Sequence, residues 1–178
     1  YQRRVRGEMK ELYLAGGCFW GMEAYFQKLK GVASTQVGYA NSARKNPTYE
    51  EVCSGSTNAS ETVKVTFDEG ILCTEQVVGH FLKNIDPTQL NQQGHDVGTQ
   101  YRSGIYSANK ADVEHIAQIL KEVQKQYSEK IATEVLLIEN FYPAEEYHQA
   151  YLAKNPRGYC HNIKAIRELM KSHDYNGK

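Results

Sequence analysis

Two apolar periods divide the chain into elements. Residues 11–15 (ELYLA) form an apolar strand segment stopped by Gly16-Gly17, and VASTQVGY (32–39) supplies a second. Between them Phe19, Met22, Phe26 and Leu29, with Tyr25 alongside, recur at helical spacing, and Gly31 supplies the C-terminal stop. Val63, Val65 and Phe67 alternate as a third strand. Thr74 then caps a helix whose apolar face is Val77, Val78, Phe81, Leu82 and Ile85, and Asp86-Pro87 closes it. QYRSGIYS predicts a fourth strand, and Val113, Ile116, Ala117, Leu120 and Val123 predict a helix. TEVLLIE follows as a strand, and then a helix opened by Pro143 and closed by Asn155-Pro156.

The first six elements run β-α-β-β-α-β. That order predicts an α+β two-layer sandwich with a ferredoxin-like core, helices on one face of a mixed sheet, and the later α, β and α elements added at its margin. Such a fold implies no chemistry by itself. Two stretches resist periodicity: residues 40–61, dense in Asn, Ser, Gly and Pro, and TQLNQQGHDVGT (88–99). Long loops inside a compact domain point to function.

Composition narrows the classes. At 178 residues the chain holds one domain with a substantial core. Lys+Arg equals Asp+Glu at 21 each, so there is no basic footprint for nucleic acid, and Arg3, Arg4 and Arg6 read as a short solvated arm. The longest apolar run, Val135 to Ile138, suits a buried strand and no membrane span, and no secretory leader pattern is present. The chain opens on Tyr1 rather than Met. The cytoplasm is the expected compartment, with export or envelope attachment the alternative for a domain excised from a longer protein. Three parts are expected: an arm over 1–10, a catalytic domain over 11–161, and a helical tail or linker over 162–178.

The cysteines, Cys18, Cys53, Cys73 and Cys160, contain no C-x-x-C and are too sparse for a disulfide scaffold, so individual reactivity is the question. Cys18 lies in GGCFWG, where a strand gives way to a helix. A helix start offers unpaired N–H groups and a positive dipole end, both of which favour thiolate. Gly16 and Gly17 permit a sharp turn and a close approach of substrate, and Phe19 and Trp20 can wall the sulfur with apolar surface. A core role is the default for an isolated cysteine. The Gly-Gly-Cys break at a helix start turns the balance toward a nucleophile. The residues alone leave a thiol peroxidase, a cysteine hydrolase and a noncatalytic binding module open.

GCFWG, NPTYEEVCSG, the block ending in Glu61, QGHDVGTQYRS, AEEYHQAYL and KNPRGYC occur in that order. Together, from Leu12 to about His161, they resemble the A-type peptide-methionine sulfoxide reductases (MsrA). The resemblance implies reduction of the S epimer of methionine sulfoxide, free or in oxidised proteins. It makes Cys18 the nucleophile, Glu61 the acid and Cys160 the resolving cysteine. Tyr49 and Tyr101 bind the sulfoxide oxygen, Asp96 binds or orients substrate, and Phe19 and Trp20 enclose the methyl group. The implied cycle leaves a sulfenic acid on Cys18, condenses it with Cys160 to a disulfide, and returns the enzyme through thioredoxin, or dithiothreitol in vitro. No bound cofactor or metal is implied, and a monomer is expected.

Cys160 follows Gly158 in a segment expected to be flexible, while Cys53 and Cys73 receive no catalytic role. His148, in AEEYHQ, reads as a helix-surface histidine, and His161 stands beside Cys160 as a candidate aid to its ionisation. Two departures border the implied pocket: Asn58-Ala59-Ser60 stands where the family often has Gly-His-Ala, and His95 where it usually has Asn. The GYCH ending resembles reductases fused to a B-type partner, so such a fused domain is a further expected partner.

Overall fold

The computed structural model describes residues 8–178. Arg3, Arg4 and Arg6 of the expected arm lie outside the described residues. The first half runs β1 (Met9–Ala15), α1 (Phe19–Gln27), β2 (Val32–Ala40), α2 (Tyr49–Cys53), β3 (Ser60–Asp68) and α3 (Thr74–Leu82). Two-residue strands β4 (Gln92–Gln93) and β5 (Asp96–Val97) pair as a small separate sheet. Then follow β6 (Gly104–Ser107), α4 (Lys110–Gln124), β7 (Glu134–Leu137), β8 (Phe141–Pro143), α5 (Tyr151–Lys154) and α6 (Ile163–Met170).

The main sheet has the order β7-β6-β1-β3-β2-β8. Its centre, β6-β1-β3-β2, is antiparallel throughout, as a βαββαβ ferredoxin-like core requires. Strand β7 adds in parallel beside β6 and β8 antiparallel beside β2, which makes the sheet mixed. The α+β expectation is borne out.

Strand alternation decides which side chains meet the helices. Leu12 and Leu14 of β1, Val63, Val65 and Phe67 of β3, and Ile105 of β6 join Phe19, Met22 and Phe26 of α1 in one core. Val77, Val78 and Phe81 of α3, Ile116 and Leu120 of α4, and Ile166 and Leu169 of α6 complete it. The opposite face holds a smaller cluster around Ala15, Ala40 and Tyr106.

Three local expectations are corrected. The loop over 40–61 contains helix α2, opened by a capping box in which Thr48 and Glu51 satisfy each other's backbone N–H groups. Pro143 opens no helix: it ends edge strand β8 opposite Gly38, where a residue lacking an N–H is tolerated. Residues 146–148 form one 3-10 turn, and Ala150, at φ 51°, bends the chain before the four-residue α5. No helix among the described residues is long and apolar enough to cross a membrane.

Candidate active site

Cys18 is the N-cap of α1, with extended backbone at φ −64° and ψ 126°. Gly17, at φ 77°, makes the turn into it and donates its N–H to the Tyr101 carbonyl at 3.3 Å. A side chain on Gly17 would press on Gln93 and on His161 Nε2. The room this glycine clears is therefore filled by protein, not left open to a substrate as the sequence suggested.

The next residue ties the helix start to the sheet. Phe19 N–H donates to Glu61 Oε1 at 3.2 Å, and Glu61, the second residue of β3, is 1% exposed. Burial, partly offset by this hydrogen bond and reinforced by the negative charge of Asp96, pushes the Glu61 pKa up to about 8. The carboxyl is mostly protonated at neutral pH. Asn58, at φ 53°, adopts the left-handed conformation that asparagine tolerates, just before β3 carries Glu61 inward.

The Cys18 thiol is also raised, first by burial and then by Glu61. Trp20 N–H, at the helix start, pulls the other way. The helix terminus thus acts in the expected direction, but desolvation and the neighbouring carboxylate outweigh it. In the free protein Cys18 is a thiol, against the expectation of a pre-ionised nucleophile.

An aromatic group flanks this pair. Trp20 stacks on Tyr151 at 3.8 Å with 8° between planes, and its indole N–H donates to His148 Nδ1 at 2.9 Å. His148 is fully buried rather than on a helix surface, because the 3-10 turn points it among Phe19, Trp20, Tyr49 and Tyr147. Burial lowers its pKa, and as Nδ1 accepts the indole proton, the neutral ring carries its own proton on Nε2. Glu145 supports the same wall, accepting from Tyr39 Oη at 2.8 Å and from Tyr49 N–H at 3.0 Å.

Tyr49 and Tyr101 are half-buried, with hydroxyls raised by burial and by Glu61 among other neighbours. Cys53, though exposed, lies close enough to Tyr49 for the two to perturb each other. Asp96, on β5, accepts from Tyr159 Oη at 2.9 Å and bears electrostatically on both Cys18 and Glu61. Cys160 is half-buried, couples electrostatically to Cys18, and donates its thiol to Asn162 Oδ1 at 3.2 Å. Its segment has no regular structure but is pinned, since Asn162 Nδ2 donates to Gly21 O at 2.9 Å and Asn84 Oδ1 at 2.7 Å.

All eight residues singled out in the sequence are thus placed about the start of α1. Sequence reasoning missed Tyr39, Glu145, Tyr151, Tyr159 and Asn162. Glu145 and Tyr151 fall inside AEEYHQAYL and Tyr159 inside KNPRGYC, so their blocks, though not their contacts, were visible.

Among the described residues, the buried side-chain polar atoms without a hydrogen-bond partner are Glu61 Oε2, His148 Nε2, and both ring nitrogens of His161. All three residues bear on α1 at its first turns, through Phe19, Trp20, and Gly17 with Gly21 respectively. Folding rarely leaves such groups unsatisfied, and their gathering at one thiol marks a site. No group of His, Cys, Asp and Glu among the described residues could hold a metal ion.

Known proteins place this arrangement. The family model described as peptide methionine sulfoxide reductase matches residues 10–177. A peptide methionine sulfoxide reductase MsrA of Clostridium perfringens is 53% identical over 153 residues, covering 86% of this chain and 98% of its own. Mxr1 of Saccharomyces cerevisiae in reduced form superposes with a TM-score of 0.82 at 40% identity, covering 89% of this chain and 92% of Mxr1. Mxr1 in complex with Trx2 matches with a TM-score of 0.59 at 26% identity, over 84% of this chain and 89% of that one. A thiol at a helix start, a protonated carboxyl bound to that helix and a family match over nearly the full length agree: this chain belongs to the peptide methionine sulfoxide reductases of the A type, a family of oxidoreductases.

Proposed function

We propose that this protein reduces the S epimer of methionine sulfoxide, with Cys18 as nucleophile and Glu61 as proton donor. The observation that carries the proposal is the buried Glu61 carboxyl, held protonated near neutral pH and bonded to the backbone directly after Cys18. A sulfoxide presents an electrophilic sulfur, an accepting oxygen and an apolar methyl. Cys18 attacks the sulfur as thiolate, Glu61 protonates the oxygen, and collapse gives methionine and a Cys18 sulfenic acid. The overall step conserves protons, because the thiol's hydrogen ends on the transferred oxygen. The high thiol pKa of the empty site means that ionisation belongs to the substrate complex.

Phe19 and Trp20 take the methyl group, with Trp20 fixed by Tyr151 and His148 so that the wall is preformed. Tyr49 and Tyr101 donate to the sulfoxide oxygen, and Asp96 orients substrate. Cys160 then resolves the sulfenic acid to a Cys18–Cys160 disulfide, and a thioredoxin returns both thiols. The Mxr1–Trx2 complex supports that last assignment.

Dabsyl-methionine sulfoxide resolved into its epimers tests the proposal with dithiothreitol as reductant. The S epimer should be consumed, the R epimer spared, and Cys18→Ser inactive. Equal use of both epimers, or turnover by Cys18→Ser, would end it. A thiol peroxidase has no reason to discriminate sulfoxide epimers, and a cysteine hydrolase leaves both untouched.

A further inference from the structure

His161 is the one site histidine left without a function by the reduction step, yet its ring is the least satisfied. Both nitrogens are buried without a close hydrogen bond, and the Asn84 backbone lies near enough to favour a proton on the ring. A neutral imidazole has one donor and one acceptor, and in a structural role at least one is normally bonded. The ring rests where side chains on Gly17 and Gly21 would stand: a Cβ on Gly17 would lie 3.4 Å from Nε2, and one on Gly21 3.2 Å from Nδ1. Those glycines bracket Cys18, one before it and one three after. His161 also follows Cys160 directly, and Asn162 fastens this turn to α1 through Gly21 O while receiving the Cys160 thiol. A side chain on Gly21 would collide with Asn162 Oδ1. The backbone of α1 is therefore kept bare where the Cys160-His161-Asn162 turn docks.

We propose that His161 is the proton carrier of the recycling step, taking the proton of Cys160 as it attacks the Cys18 sulfenic acid and returning it to the departing hydroxide. The inference rests on Cys160 being the resolving cysteine. In the step, the Cys160 S–H proton moves to the free ring nitrogen, and the sulfur pair forms the bond to Cys18 Sγ. The Cys18 S–O bond breaks with its electrons, and the imidazolium protonates the hydroxide, so that one disulfide and one water are formed. Cys160 is oxidised, Cys18 is reduced from the sulfenic level, and no further oxidant is needed. Such a carrier is useful because burial raises the Cys160 thiol, while burial also keeps His161 neutral and able to accept. The charged groups around the ring are Asp96 and, across a neighbouring cavity of about 460 Å³, Lys83, Asp86, Lys164 and Glu168. His161 and Asn162 form part of that cavity's wall, so truncating the ring to Ala opens its place to the cavity and to small bases.

Single-turnover mixing of reduced protein with one equivalent of methionine S-sulfoxide, without thioredoxin, separates the two steps. Methionine release reports the first, and loss of the second free thiol reports disulfide formation. In His161→Gln and His161→Ala, disulfide formation should slow by about 100-fold, the scale of a lost general base, while methionine release changes far less. Added imidazole should restore disulfide formation in His161→Ala. The pH dependence of disulfide formation should move upward, from imidazole titration to thiol titration. Wild-type disulfide kinetics, equal slowing of both steps, or slowing with neither imidazole rescue nor a pH shift would overturn the proposal. Cys160→Ser provides the control: if it still recycles with thioredoxin, the resolving assignment itself fails, independently of His161.

Discussion

Phe19 and Glu61, 42 positions apart, are joined by a 3.2 Å hydrogen bond from backbone N–H to Oε1. The bond crosses from the first residue of α1 to the second of β3, and so couples the helix that starts at Cys18 to the buried Glu61 carboxyl. Glu61 makes Cys18 harder to ionise, while the Phe19 hydrogen bond partly eases the ionisation of Glu61 itself. Burial leads in both cases, and Glu61 adds to the Cys18 shift.

Glu61→Gln should therefore have opposite effects on acidity and rate. Removing the carboxylate lowers the Cys18 pKa, so alkylation by iodoacetamide should shift its midpoint to lower pH. Sulfoxide reduction should nevertheless slow by about 10² to 10⁴, the usual contribution of a general acid. Faster alkylation with undiminished reduction would assign the proton to another group.

Glu61 also makes stability pH-dependent with a definite sign. Its folded pKa of about 8 exceeds the ordinary glutamate value of 4.5. Between those values the folded protein keeps a proton that the unfolded chain has released, so stability falls as pH rises through that window and levels off above it. The slope from this group reaches roughly 1.4 kcal/mol per pH unit. Urea unfolding of wild type against Glu61→Gln should show the variant gaining relative stability from pH 5 to 8, and a pH-independent difference would contradict the assignment.

The Trp20 wall depends on His148. His148→Phe keeps an aromatic ring but removes the acceptor of the 2.9 Å indole hydrogen bond. A stability loss of about 1–3 kcal/mol is expected for the stranded donor. Since Trp20 also loses its orientation, KM for methionine sulfoxide should rise as well. Thermal melting and steady-state kinetics with dithiothreitol check both parts.

Gly21→Ala places a methyl group against Asn162 Oδ1 and disturbs the turn that carries Cys160. Thioredoxin-driven turnover should fall more than dithiothreitol-driven turnover. Equal loss with both reductants would place the damage at Cys18 instead.

Much of this architecture was legible in the sequence. Leu12, Val63 and Phe67 alternate, and Met22, Phe26, Val77 and Phe81 recur at helical spacing, because each faces one large core. The eight site residues were legible only as members of motif blocks, since separations of tens of residues carry no geometric signal. Glu61 alone resembles an exposed strand-end carboxylate; it is buried because β3 lies inside the sheet between β1 and β2, with Glu61 opposite Tyr39 and bonded to the start of α1. The errors share a cause. Local signals predict a helix over Pro143 and His148, whereas the tertiary bonds of Glu145 to Tyr39 and Tyr49 hold that stretch as an edge strand and a tight turn. The dipole at the helix start suggested an ionised Cys18, and burial reversed the net result.

The central claim is that substrate oxidises Cys18 and no other thiol. In Cys160→Ser, one addition of methionine S-sulfoxide followed by dimedone and peptide mass spectrometry tests this directly. One equivalent of methionine with a dimedone adduct confined to Cys18 is the predicted result. An adduct on Cys53 or Cys73 in place of Cys18, or methionine formed by the Cys18→Ser, Cys160→Ser double variant, would contradict it.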